Sequence, residues 1–196
     1  MNPVVSVVAS ALVATSPLSA ASQNPPVSIP PSSGFVAACY GQATPTIECD
    51  RQAIANINWA RGAEHMNAIV LPADYSSLGI QGQLAAVINA ERTSRGLGSL
   101  ATVPAWNSLA VQGARSLMDP MGPGGDSWGS IWAGVADPLA ADFLWMYDDG
   151  SNSPNLDCQP ATPSGCWGHR ENILGAGWTS MGSGASGASV AALFVQ

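Results

Sequence analysis

IQGQLAAVINAERTSRGLGSL, residues 80–100, is the stretch from which the chain is best read. It sets Leu84, Val87, Ile88 and Glu91 at the i, i+3, i+4, i+7 spacing of one helical face. Arg92 and Arg95 fall in the last turn, where cations suit the helix dipole, and Gly96 stands where a helix stops. A helix over 80–95 follows.

Downstream, Pro104 opens a second helix whose stripe is Trp106, Leu109, Ala110, Gly113 and Leu117, and Asp119-Pro120 closes it. The glycines of MGPGGDSWGS, 121–130, predict a loop. Asp137-Pro138 starts another helix, with Leu139, Phe143 and Tyr147 on one face and Trp145 and Met146 beside it. A long loop is expected from 150 to 168. The short apolar runs 173–178 and 190–195 predict two strands, with GSGASGAS, 182–189, as the turn region between them. Upstream, residues 50–66 predict a helix with Asp50 as N-cap and Ile54, Ile57, Trp59 and Ala60 inward. Leu71-Pro72 then forces an extended or turning path to Gly79.

At 196 residues and 46% apolar, the chain can bury one continuous core without a metal or a partner. All six basic residues are arginine, against 13 Asp plus Glu, for a formal charge of -7. That balance repels phosphate, so nucleic-acid binding is disfavoured. Residues 4–14, VVSVVASALVA, are too short an apolar run to span a bilayer. Followed by Pro17 and small residues, they read as a signal peptide over 1–21 cleaved after Ala21, although nothing before Arg51 is cationic. The Pro/Ser-rich stretch 22–34 reads as a mobile leader, with the fold starting near Phe35. Four cysteines in an oxidising compartment pair. Short loops holding turn formers favour Cys39 with Cys49 and Cys158 with Cys166, and a crosswise pairing stays open.

NAERTSRGLGSL (89–100), LAVQGA (109–114), SIWAG (130–134), WMYDDG (145–150) and GCWGHRENIL (165–174) follow one another in an order that resembles the CAP superfamily of cysteine-rich secretory, antigen 5 and pathogenesis-related proteins. WMYDDG and GCWGHR are especially similar to exported actinobacterial members. The resemblance covers roughly Leu78 onward, dividing the chain into an N-terminal extension with one helix (35–78) and a CAP-like domain (79–196). It implies an α+β fold, an α-β-α sandwich with a small antiparallel sheet between helical layers. It also implies a cleft with two histidines and two acids. His169 matches one histidine, and Asp148 lies where an acid follows the Trp-containing helix. The other acid position falls on Gly129, and no histidine precedes it after Leu117. Two ligands leave an ion held mainly by water, so the expectation is no cofactor, no tight metal site and at most weak divalent binding at His169. His65 is the other imidazole of the chain and reads as a helix-end residue facing solvent.

His169 carries the functional reading, because imidazole titrates near neutral pH and the resemblance sets it beside Asp148 or Asp149. Arg170 and Glu171 read as local ion pairs. Gly125-Asp126-Ser127-Trp128-Gly129 fits GxSxG, and Asp157 and His169 follow in the order Ser, Asp, His, which makes a serine hydrolase the alternative. Against it, that elbow sits between a buried strand and a helix, and the residues before Ser127 supply no strand. Cys166, three residues before His169, is removed as a thiol nucleophile by a disulfide. Trp106 and Trp145 read as core, while Trp128, Trp132 and Trp167 lie where loops would ring the cleft. The sequence therefore points to an exported, monomeric binding protein. Its ligand cleft would hold His169, Asp148, Asp149, Ser127, Trp128, Trp132 and Trp167, and its partner would be a small molecule, a lipid or a cell-envelope component.

Overall fold

Residues 28–150 and 167–196 are described by the structure, a computed structural model. The signal-peptide segment, residues 22–27 of the leader, Asp157, Cys158 and Cys166 lie outside them. The chain is engaged earlier than Phe35. The Ile29 N–H donates to the Tyr147 carbonyl at 2.8 Å, and the Ser32 hydroxyl caps helix α1 (Ser33–Cys39) by accepting from the Phe35 N–H. A disulfide joins Cys39 to Cys49.

Helix α2 spans Ile47–Ala63, and its cap is Thr46, not Asp50, which sits in the first turn. The helix turns Cys49, Ala53, Ile57 and Ala60 inward and leaves Trp59 62% exposed. The segment before residue 79 thus holds two helices where one was expected, followed by a 3-10 turn at Tyr75–Ser77. Phe35 lies 5.1 Å from Phe143, ring to ring, so this segment shares its core with the rest of the chain.

Helix α3 (Ile80–Ser94) buries Leu84, Val87, Ile88 and Glu91, and Gly96 follows with φ +78°, a backbone state suited to glycine. Strand β1 (Ala101–Thr102) precedes helix α4 (Pro104–Ser116). Strand β2 (Trp128–Ala133) emerges from the expected loop. Helix α5 (Pro138–Tyr147) is buried at all ten positions, and the Asp137 carboxylate caps it by accepting from the Leu139 and Ala140 N–H groups. Helix α6 (Gly168–Leu174) and strands β3 (Ser180–Ala185) and β4 (Val190–Val195) complete the fold.

The sheet order is β1-β3-β4-β2, antiparallel except for the two-residue parallel pairing of β1 with β3. Helix α4 covers one face; α3, α5 and α6 cover the other, with α2 packed outside α5. This is an α-β-α sandwich.

Two strand expectations are corrected. The 173–178 run begins inside α6, and Arg92 ends that helix by donating to the Ile173 carbonyl at 2.6 Å and the Gly175 carbonyl at 2.9 Å. The first half of the glycine-rich 182–189 stretch, 182–185, is strand, and only 186–189 turn. A Cβ on Gly182 would lie 2.2 Å from the Trp106 backbone, and one on Gly184 would lie 2.3 Å from the Val111 backbone. Those glycines are therefore where α4 rests on the sheet, not turn signals. The buried face of α4 is correspondingly small, Ala110, Gly113 and Ala114, whereas Leu117 ends the helix exposed with φ 55°.

Candidate functional site

The end of α5 and the start of α6 meet at Asp149 and His169. The first N–H groups of a helix have no partner within it. The Asp149 carboxylate supplies one from outside α6: Oδ2 accepts the His169 backbone N–H at 2.9 Å, while Oδ1 lies 2.8 Å from the ring Nδ1. The two contacts fix the orientation of the ring against the start of α6. Burial pushes the Asp149 carboxyl above the usual carboxylate range, against the pull of its His169 hydrogen bonds. His169 is 5% exposed and Asp149 fully buried.

Trp167 and Asp148 are also buried at this junction. The Trp167 ring lies against Gly150, where a Cβ would come within 2.3 Å of it. The Arg170 guanidinium sits 5.8 Å from the Trp167 ring centroid and 5.7 Å from that of Tyr147. Asp148 caps the C-terminus of α5, and its charge, after burial, raises the Tyr40 hydroxyl pKa. His169, Asp149, Asp148 and Trp167 are thus brought together.

Ser127, Trp128 and Trp132 sit elsewhere. Strand alternation turns Trp128, Ser130 and Trp132 toward the α4 face, and the Trp132 indole donates to the Ser189 hydroxyl. Gly129, Ile131 and Ala133 face α5 and α6, so the sheet separates the β2 tryptophans from His169. Ser127 is exposed, its carbonyl accepts the Gln196 N–H at 3.1 Å, and a strand rather than a helix follows it. At Gly129 a Cβ would lie 2.3 Å from Asn172 Oδ1 and 3.1 Å from the Trp178 ring, so the Asn172 amide and the Trp178 ring occupy the space beside this glycine. Among the described residues no group of three or more His, Cys, Asp or Glu is placed to hold a metal ion.

A buried charge network lay outside the sequence reading. The Glu91 carboxylate accepts from Arg61 at 2.6 Å, from the Tyr147 hydroxyl at 2.8 Å and from Arg95. Glu64 accepts from Arg95 and, through both oxygens, from Arg170. Arg170 therefore pairs across the fold, not locally as its sequence neighbours suggested. The only available signal was the pair of charged residues, Glu91 and Arg92, inside an apolar helical face. His65 is exposed at the end of α2.

No protein-family model matches the sequence, and no curated protein matches it. Solved structures similar to it are SCP/CAP-type proteins. An extracellular SCP-domain protein of Bacillus anthracis shares 18% identity at a TM-score of 0.43, covering 60% of this chain and 40% of that one. A cysteine-rich secretory protein of Staphylococcus aureus shares 16% identity at 0.42, covering 59% and 38%. MpPR-1i, from crystals soaked with selenourea, shares 20% at 0.40, covering 64% and 93%. The chain thus spans about two fifths of the length of the first two. No helix of the described residues is long and apolar enough to cross a membrane.

Proposed function

We propose that this chain is an exported CAP-like protein that binds a small cell-envelope ligand without converting it, at the α5–α6 junction. The observation that carries the reading is the Asp149 carboxylate, which grips both the backbone N–H and the ring Nδ1 of His169. A carboxylate spent on holding a helix start and a ring orientation positions a recognition group. Trp167 adds an aromatic ring beside it, a group suited to contacts with apolar ligand surfaces. The ordered motifs from NAERTSRGLGSL to GHRENIL and the three-layer architecture support the CAP assignment. The apolar N-terminal run supports export. A catalytic reading has less behind it, because Ser127 lacks the strand-to-helix elbow and position 129 is a glycine, without an acidic side chain.

The test is tryptophan fluorescence of the full chain during titration with soluble peptidoglycan fragments and, separately, with a monomeric short-chain phospholipid. A saturable change with one of them is expected, lost in Trp167→Phe and weakened about tenfold in His169→Ala, the worth of one hydrogen bond near 1.4 kcal/mol. Labelling of Ser127 by a fluorophosphonate, abolished in His169→Ala, would instead establish a hydrolase.

A further inference from the structure

An opening lies beside the buried charge network, at Arg61. A pocket of about 560 Å3, within the range of roughly 300–1,000 Å3 typical of small-molecule sites, forms between the end of α2, the segment after it and the last turns of α3. Arg61, His65, Met66, Val70, Ala90 and Thr93 are among its walls.

Arg61 forms the base, its side chain 2% exposed. Its Nε donates to the Asn67 carbonyl at 2.8 Å and its Nη1 to Glu91 at 2.6 Å. Nη2 has no acceptor among the described residues, yet it is not among their fully enclosed, unpartnered atoms. A donor left over on a deeply buried guanidinium that lines a pocket is directed at whatever enters. The positive charge there is also only partly answered, because the Glu91 oxygen that meets Arg61 also meets Arg95. Helix carbonyls that would oppose an anion at the end of α2 are engaged. The Met66 N–H bonds the Arg61 carbonyl and the His65 N–H bonds the Gly62 carbonyl. Higher up, Met66, Ala90 and Val70, the last 82% exposed, make an apolar wall, and His65 stands exposed at the rim. A fixed guanidinium below and an apolar wall above suit an amphipathic anion better than inorganic phosphate.

We infer that this pocket binds a small organic carboxylate with a short apolar tail, the carboxylate on Arg61 and the tail along Met66, Val70 and Ala90. The site is separate from the α5–α6 junction and stands whether or not that reading holds.

Octanoate is the probe, titrated into the full chain and followed by NMR of the His65 ring and the Val70 methyls, with octanamide as its uncharged twin. Octanoate should give saturable shifts at both residues, and octanamide should bind at least tenfold more weakly. Val70→Glu, a substitution at an exposed position, should weaken octanoate at least tenfold with an unchanged melting midpoint; Arg61→Met should abolish binding if it folds. Absence of saturable shifts, equal affinity for octanoate and octanamide, or an unaltered affinity in Val70→Glu would each overturn the inference.

Discussion

Arg170, near the start of α6, grips Glu64, at the end of α2, through two parallel hydrogen bonds of 2.8 and 3.0 Å that close a separation of 106 residues. The same guanidinium donates to the Met146 carbonyl at 2.6 Å. One side chain thus fastens α2 and α5 to α6, and Glu64 in turn ties in Arg95 of the α3 end.

Replacing that planar fork should therefore be costly. Arg170→Lys keeps the charge but cannot reproduce two parallel bonds, and a damaged buried pair costs about 3 kcal/mol. Urea unfolding should show a loss of that order; a loss below about 0.5 kcal/mol would mean the grip contributes little.

Gly184→Ala tests the seat of α4. Its methyl would meet the Val111 backbone at 2.3 Å, and backbone cannot swing aside as a side-chain end can. Overpacking of this kind costs roughly 1–3 kcal/mol. Thermal melts should fall accordingly, whereas Gly124→Ala, with open space around it, should melt near the parent.

Stability should decline as pH rises toward neutrality. Burial pushes the Asp137 carboxyl up to about 7, with the nearby Asp50 carboxyl adding to the rise against the pull of its capping bonds to α5. Asp142, fully buried and with neither oxygen bonded to a donor among the described residues, is raised well above its usual value by burial and then by Glu91. A carboxyl with a higher pKa folded than unfolded binds its proton more tightly in the native state. Its contribution is complete below pH 3.8, the ordinary Asp value, and for Asp137 is lost as pH passes through about 7. Melting midpoints measured from pH 5 to 8 should fall, and Asp137→Asn, which keeps the cap, should flatten that slope.

His65 occupies the left-handed region at φ 59°, where side chains with a Cβ are strained. His65→Gly should stabilise the chain by roughly 1 kcal/mol in chemical denaturation. No gain would show that the ring makes a compensating contact.

Loss of the Cys39–Cys49 bridge, which closes a separation of 10 residues, should cost about 3 kcal/mol. A double Cys39→Ala, Cys49→Ala variant should show it as a lower melting midpoint, and added reductant should then have no further effect on this loop.

Much of the architecture was legible in local patterns. The α3 face, the Pro104 and Asp137-Pro138 helix starts, the short-loop disulfide and the final strand all rest on spacing or on residues with strong backbone preferences, which operate within a few positions. The errors share a cause as well. Trp59 was placed inward because the face that packs is set by the small residues Cys49, Ala53 and Ala60 with Ile57, not by the largest apolar side chain, and β3 was hidden because its glycines answer to α4, which lies some 70 residues away in sequence. At the candidate site, the closeness of Asp149 and His169 could be expected from the motif order, but the use of Asp149 as the partner of the α6 N-terminus could not. Nor could Trp128 and Trp132 be assigned to the face away from His169 while β2 was read as loop.

The chain by itself, then, determined the four longer helices, which apolar residues are available for burial and which imidazole sits among acids, because these depend on periodicity and on residue chemistry. Only the tertiary structure decided which carboxylate meets which guanidinium, which side of the sheet each Trp faces and where pockets open. Those follow from contacts between residues tens of positions apart, and no local spacing encodes them.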